Sequence, residues 1–152
     1  VDPGILRSFE MADIALQIDI AADPADVYTA LTTTDGVAGW WTTRNETSGT
    51  VGEINRYYFP DAPFSWDMRI DAAEPGSLVS WHCIGGPPPW IGTDIRWMIR
   101  AKPEGGSLVV FDHTGFAGID ETFRIVTLGW AEMVLRLRDY LESGKPVPYF
   151  TH

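Results

Sequence analysis

Five consecutive segments of this chain alternate apolar with polar residues, joined by turns too short for a crossover, and one long amphipathic stretch follows them. The segments are residues 53–59, 64–72, 77–83, 93–101 and 107–114. Between them stand Pro60-Asp61-Ala62-Pro63, Glu74-Pro75-Gly76, Gly85-Gly86-Pro87-Pro88-Pro89 and Pro103-Glu104-Gly105-Gly106, all turn-forming runs. Strands joined this tightly are antiparallel neighbours, because a parallel pair needs a crossover of a dozen residues or more. The spacing therefore predicts a meander. Parity assigns its faces: Trp66, Met68, Ile70, Val79, Trp81, Cys83, Ile95, Trp97, Ile99, Val109, Phe111 and His113 fall on the inner set. Asp67, Arg69, Arg96 and Arg100 fall on the outer one.

Ahead of the meander, Ile14, Leu16, Ile18 and Ile20 alternate as a first half-buried strand. Asp23-Pro24 reads as an N-cap with proline at the first helical position, and Val27, Tyr28, Ala30 and Leu31 give a short helix its apolar stripe, ending near Thr33. Residues 35–52, which contain Trp40-Trp41 and a turn-rich run, connect that helix to the meander. Beyond it, Phe123, Val126, Trp130, Met133 or Val134, Leu137 and Leu141 recur at steps of three and four over residues 120–142. Gly144, Pro146 and Pro148 stop this second helix. The expected layout is an N-terminal extension at 1–12, one domain at 13–144 and a C-terminal tail at 145–152, since 152 residues make one ordinary domain. The fold class is α+β: a curved antiparallel sheet wrapped around a long C-terminal helix, with a short helix after the first strand.

Seven Trp, seven Phe and five Tyr are an aromatic excess, and rings in that number need a large core or a cavity to face. A curved sheet holding a helix of bulky side chains leaves room for both, because the two layers do not have to close everywhere. Eleven Lys plus Arg against twenty-one Asp plus Glu, a formal charge of −10, argue against nucleic acid and anionic membrane surfaces as partners. No apolar run approaches the roughly 20 residues of a membrane span, and the first dozen residues lack a signal-peptide pattern. Cys83 is the single cysteine and cannot form an internal disulfide, so the expected location is the reducing cytoplasm.

Several motifs together carry a family likeness: Ile18-Asp19-Ile20-Ala21-Ala22-Asp23-Pro24-Ala25-Asp26-Val27-Tyr28, Gly39-Trp40-Trp41, Trp81-His82-Cys83, Gly92-Thr93-Asp94-Ile95, Asp112-His113-Thr114-Gly115-Phe116 and Gly129-Trp130. In this order, over residues 13–144, they resemble the START-like, or SRPBCC, superfamily. Within it the chain is most similar to the single-domain bacterial branch that resembles activators of the heat-shock protein 90 ATPase. The resemblance implies a helix-grip fold with a central cavity. Members of the superfamily include lipid carriers, hormone receptors, polyketide cyclases and chaperone activators, so fold alone selects no activity.

The candidate site residues are the aromatic and inward-facing ones: Trp40, Trp41, Tyr57, Phe59, Trp66, Met68, Trp81, Cys83, Trp90, Trp97, Phe111, His113, Trp130 and Met133. Adjacent tryptophans in a regular element cannot share one core, so one of Trp40 and Trp41 is expected to pack and the other to lie at a pocket mouth or interaction surface. Trp90, on the proline-stiffened loop, reads as a rim or simply as part of a stiff connection. Trp66, Trp81, Trp97 and Trp130 read as core or as ligand contacts. His113 beside Asp112 invites a general-base reading, but neighbours on a strand point to opposite faces, which favours a structural bond from His113 to a loop. The same alternation separates His82 from Cys83. Cys83 has no base near it in sequence and reads as a small buried hydrophobe.

No metal-ligand spacing, no Gly-x-Ser-x-Gly elbow and no phosphate- or dinucleotide-binding glycine loop is present, so no metal, cofactor or catalytic residue is assigned. Three functions follow for testing. The first is non-catalytic binding of a small hydrophobic or aromatic ligand between sheet and helix. The second is a co-chaperone-like role with a heat-shock chaperone ATPase as partner, and the third a cyclase- or dehydratase-type enzyme using His113, His82, Tyr57 or Asp67. Exposed aromatics near Trp40 and Trp90 would also suit a homodimer.

Overall fold

Alternation shapes the first strand, β1 (Ala12–Ile20), which buries Ala12, Ile14 and Ile20 and leaves Asp13, Ala15, Gln17 and Asp19 exposed. The structure, a computed structural model, describes residues 11–152; the extension expected at 1–12 lies outside the described residues except for its last two, and Ala12 already belongs to β1. Helix α1 (Pro24–Thr32) starts with Pro24 in its first turn after Asp23, and buries Val27, Ala30 and Leu31. A second short helix, α2 (Thr34–Ala38), follows at once, its first turn closed by the Thr33 hydroxyl, which accepts from the Gly36 amide at 3.0 Å. Sequence periodicity gives no sign of this five-residue helix, which is shorter than two turns.

The remaining strands are β2 (Asn45–Glu46), β3 (Ile54–Tyr57), β4 (Trp66–Glu74), β5 (Leu78–Gly85), β6 (Asp94–Ala101) and β7 (Ser107–Phe116). They form one antiparallel seven-stranded sheet in the order β1-β7-β6-β5-β4-β3-β2, a meander from β2 to β7 with β1 added beside β7. Register shifts between Asp67 and Met68, between Ile70 and Ala72, and between Ala12 and Ile14 are irregularities of the kind that bend a strand and deepen its twist. The sheet curves accordingly.

Against its concave face lies α3 (Glu121–Ser143), which opens with the Asp120 carboxylate accepting from the Phe123 amide at 2.9 Å. It ends at Gly144, whose φ of 72° closes the helix as its backbone N–H donates a hydrogen bond to the Tyr140 carbonyl. Trp130, Met133, Val134 and Leu137 form its buried stripe, flanked by half-buried Phe123, Val126 and Leu141. The α+β class and the element order therefore stand as the alternation and the helical period indicate.

Parity also places the core. Met68, Ile70, Val79, Trp81, Cys83, Ile95, Trp97, Val109, Phe111 and His113 are buried, while Arg69, Arg96 and Arg100 are exposed. Trp81, Trp97 and Trp130 are fully buried and pack ring against ring. Trp97 meets Trp81, Phe111 and Trp130 edge-on, and Phe111 tilts against Trp130 with ring centroids 4.5 Å apart. Edge-to-face contacts let rings of this size fill the sheet–helix interface at its centre.

Trp40 and Trp41 depart from expectation in one respect: both are buried, stacked at 5.7 Å. The argument that neighbours diverge holds for regular elements, and these two sit in the turn after α2, where the chain can direct both inward. The residues set apart as a tail at 145–152 are likewise bonded into the domain. The Val147, Tyr149 and Phe150 amides donate to the Gly39, Trp40 and Trp41 carbonyls, and the Thr43 amide donates to Phe150. Arg136 reaches across from α3 to the Val147 and Pro148 carbonyls at 2.8 and 3.0 Å.

Candidate functional site

At one end of the sheet–helix interface the two layers separate. A cavity of about 570 Å³ opens there between α3, the β3–β4 connection, the start of β4 and the C-terminal segment. Each wall has its own local cause. The connection 60–63 carries two prolines and projects Phe59 and Pro60 past the end of β3. A 3₁₀ turn at Pro88–Trp90 swings Trp90 inward, its amide bonded to the Pro87 carbonyl at 2.9 Å. The parallel bridge between Thr42 and Phe150 sets Tyr149 and Phe150 opposite Phe59, with the Phe59 and Phe150 rings 4.8 Å apart. Trp41 lies beneath, and α3 contributes Ile125, Val126, Leu128, Gly129, Glu132 and Met133.

Of the fourteen residues singled out from the sequence, Trp41, Phe59, Trp66, Trp90 and Met133 line this cavity. Trp40, Tyr57, Met68, Trp81, Cys83, Trp97, Phe111, His113 and Trp130 do not; they form the packed core behind it. The lining residues that inward parity could not reach are Tyr149 and Phe150 from the returning tail, Asp61 in the turn, and Ile125, Leu128 and Glu132 on the exposed side of α3. One signal for them exists in the sequence, the Pro-Tyr-Phe run after the helix stop, where aromatic residues follow a segment that otherwise reads as a terminus.

Gly129 is the most informative lining residue. It sits mid-way along a 23-residue helix, where glycine costs about 1 kcal/mol relative to alanine. A Cβ there would meet nothing within 4 Å. No close packing therefore requires the glycine, and its missing side chain enlarges the cavity.

The cavity's charged lining is sparse: Asp61 and Glu132, both exposed at its edge. The Glu132 carboxylate beside Tyr149 raises that phenol above its ordinary range. His113 lies behind Trp90 and is fully engaged. The Trp130 indole N–H, which can only donate, gives to Nδ1 at 2.9 Å, so the ring proton sits on Nε2 and is donated to the Thr93 hydroxyl at 2.8 Å. Thr93 in turn donates to the Trp90 carbonyl at 2.6 Å. Burial pushes the imidazole's pKa down to about 3. A neutral ring with both nitrogens occupied has no lone pair or proton free for a substrate, and it holds the Trp90 turn to α3 instead.

The other polar candidates lie elsewhere. Tyr57 is buried and accepts from Asn55 Nδ2 at 2.9 Å, and burial raises its phenol far above the usual value. Burial likewise lifts the Cys83 thiol to about 11. Asp67 faces outward beside Arg56, at 3.8 Å. His82 bonds Asp94 at 2.7 Å on the outer sheet face. With Asp71 those two bring three possible ligand atoms within 4.8 Å of one another, a juxtaposition across β4, β5 and β6 that linear spacing does not reveal. Asp71 is already paired with Arg69 at 2.7 Å, which neutralises part of that cluster. None of His82, His113, Tyr57 and Asp67 lines the cavity. No helix among the described residues is long and apolar enough to cross a membrane.

Comparison with known proteins extends the picture. No curated protein matches the chain. The solution structure of the Aha1 dimer from Colwellia psychrerythraea superposes with a TM-score of 0.81 at 32% identity, covering 89% of this chain and 99% of that one. A protein from Staphylococcus saprophyticus superposes at 0.74 with 18% identity, covering 93% of this chain and 98% of its own. One from Mesorhizobium loti does so at 0.71 with 17% identity, covering 87% and 98%. The last two speak for the fold alone. Residues 21–142 match the family described as Activator of Hsp90 ATPase homolog 1-like protein. Taken with the sheet order and the C-terminal helix, this places the chain in that family, a START-like branch.

Proposed function

We propose that this protein binds a small, largely apolar molecule in the open cavity and performs no chemistry on it. The observation that carries the reading is the cavity itself: about 570 Å³ walled by the rings of Trp41, Phe59, Trp66, Trp90, Tyr149 and Phe150. That volume falls within the range of small-molecule sites, which are mostly apolar with a few polar groups. Gly129 supports it, since a helix tolerates such a residue where space has a use. The test is a thermal-shift and tryptophan-fluorescence screen with aromatic and aliphatic compounds, run beside Gly129→Leu, whose side chain projects into the cavity. Binding to the wild type that disappears in a folded Gly129→Leu supports the reading; equal binding by both refutes it.

A second reading has its own support in the family match and in the likeness to the Colwellia Aha1 dimer. It is a co-chaperone-like contact with a heat-shock chaperone ATPase, made by the chain alone or as a symmetric dimer. Ile125 and Leu128, more than 60% exposed on α3, offer an apolar surface for it. ATPase stimulation by wild type that is lost in Leu128→Asp supports this role; no stimulation at saturating protein removes it. Light scattering reads the dimer directly.

A further inference from the structure

We propose that the cavity selects organic cations, molecules with an apolar body and a quaternary or protonated amine head. This rests on the ligand-cavity reading above and adds a charge to its ligand. Two carboxylates, Asp61 and Glu132, stand among the lining residues, and no lysine, arginine or histidine among the described residues does. Both come from different elements, the β3–β4 turn and α3, and converge on one opening. The walls between them are six aromatic rings, three of them tryptophan, whose faces attract cations more strongly than those of other side chains.

Arg136 stands beside this wall, its guanidinium carbon 5.3 Å from the Tyr149 ring centroid. Its Nη1 donates to the Val147 and Pro148 carbonyls, which fixes the guanidinium against the C-terminal segment; these neutral acceptors leave its charge in place, so two lining carboxylates stand against one neighbouring guanidinium. Glu132 lies close enough to Tyr149 to raise its phenol through a hydrogen bond, with burial adding to the shift and the charge of Arg136 opposing it. A net charge of −10 extends that sign beyond the opening and concentrates cations near it. An anion entering this site would meet two carboxylates, and no basic side chain among the described residues lines the cavity. A neutral molecule would gain only burial of its apolar surface.

The test compares benzyltrimethylammonium, neopentylbenzene and phenylacetate on the full chain by tryptophan fluorescence and calorimetry. The first two have the same shape and differ in one atom, nitrogen for carbon, which isolates the charge. The cation should bind about fivefold tighter than its neutral isostere at low salt, and the preference should shrink in about 0.5 M salt. The Asp61→Asn, Glu132→Gln double variant should lower the preference to below about twofold. Gly129→Leu should abolish binding of both. Equal or tighter binding of neopentylbenzene overturns the charge inference and leaves the cavity reading standing. Failure of all three compounds to bind overturns both. A preference that survives the double variant, or binding that survives Gly129→Leu, overturns the assignment to these residues.

Discussion

His113 makes stability depend on acid in a way that can be calculated before it is measured. Its ordinary pKa is 6.5, and burial in the folded protein lowers it to about 3. Between those values the unfolded chain takes up a proton that the folded chain refuses, so protons favour unfolding. The stability associated with the neutral ring is complete above pH 6.5 and is lost as pH falls toward 3. The slope approaches that of one proton, about 1.4 kcal/mol per pH unit. From pH 7 to pH 5 the loss from this residue alone is about 2 kcal/mol. With a urea m-value of roughly 2 kcal/mol/M, the unfolding midpoint should fall by about 1 M. The comparison is His113→Gln, which keeps an acceptor for Trp130 and a donor for Thr93 but has no proton to gain. Urea titrations of both proteins at half-unit steps between pH 7 and 5 read the difference. Asp71, held below the usual carboxylate value by Arg69, and Glu104, held below it by a backbone hydrogen bond and then Lys102, are common to both and lose their contribution at lower pH. If the two proteins lose stability in parallel, His113 is not a neutral buried ring and the bonding assigned to it is wrong.

Three further outcomes are expected. Trp130→Phe should cost about 1–2 kcal/mol more than Trp81→Phe, because the first strands His113 Nδ1 whereas the Trp81 indole N–H has no partner to lose; equal thermal shifts would refute this. Gly39→Ala should destabilise by about 1–3 kcal/mol, since a Cβ there would fall among the ring atoms of Tyr140, and an unchanged Tm would be incompatible with that contact. Cys83, buried with its thiol raised to about 11, should resist a colorimetric disulfide reagent at pH 8 in the native protein and react fully in denaturant.

Much of the architecture can be read from residue periodicity, because alternation and helical spacing are consequences of burial. The inner parity of β4 to β7 and the stripe from Phe123 to Leu141 are both recognisable before any coordinates. What parity cannot supply is the difference between a packed ring and a ring beside empty space. Trp97 and Trp66 occupy equivalent inward positions on their strands, yet Trp97 is sealed in the core and Trp66 borders the cavity. The distinction depends on where α3 and the sheet diverge, a property of the whole assembly. Tyr149 and Phe150 were out of reach for another reason: their positions follow from main-chain bonds to residues 40–43, more than a hundred positions earlier. His113 lies between these cases, since its inward parity was legible but its partners on a loop and on α3 were not.

The pairing of β1 with β7 joins Ile20 to Ser107 and Ala12 to Phe116, the two ends of the sheet in chain order. During synthesis, then, the first strand emerges without its neighbour, and Ile14, Leu16, Ile18 and Ile20 wait while about 100 residues are added. At ordinary elongation rates that is about 5–20 s. Long-range pairing of this kind is slow in any case, because the loop must close before its contacts form. The segment's defence in that interval is its own alternation: Asp13, Gln17 and Asp19 interrupt the apolar positions and place charge on the nascent strand. Replacing those three residues with apolar ones would remove the Asp13 bond to the Gly115 amide and the Asp19–Lys102 ion pair from the finished sheet edge, and the newly made chain would become prone to aggregate.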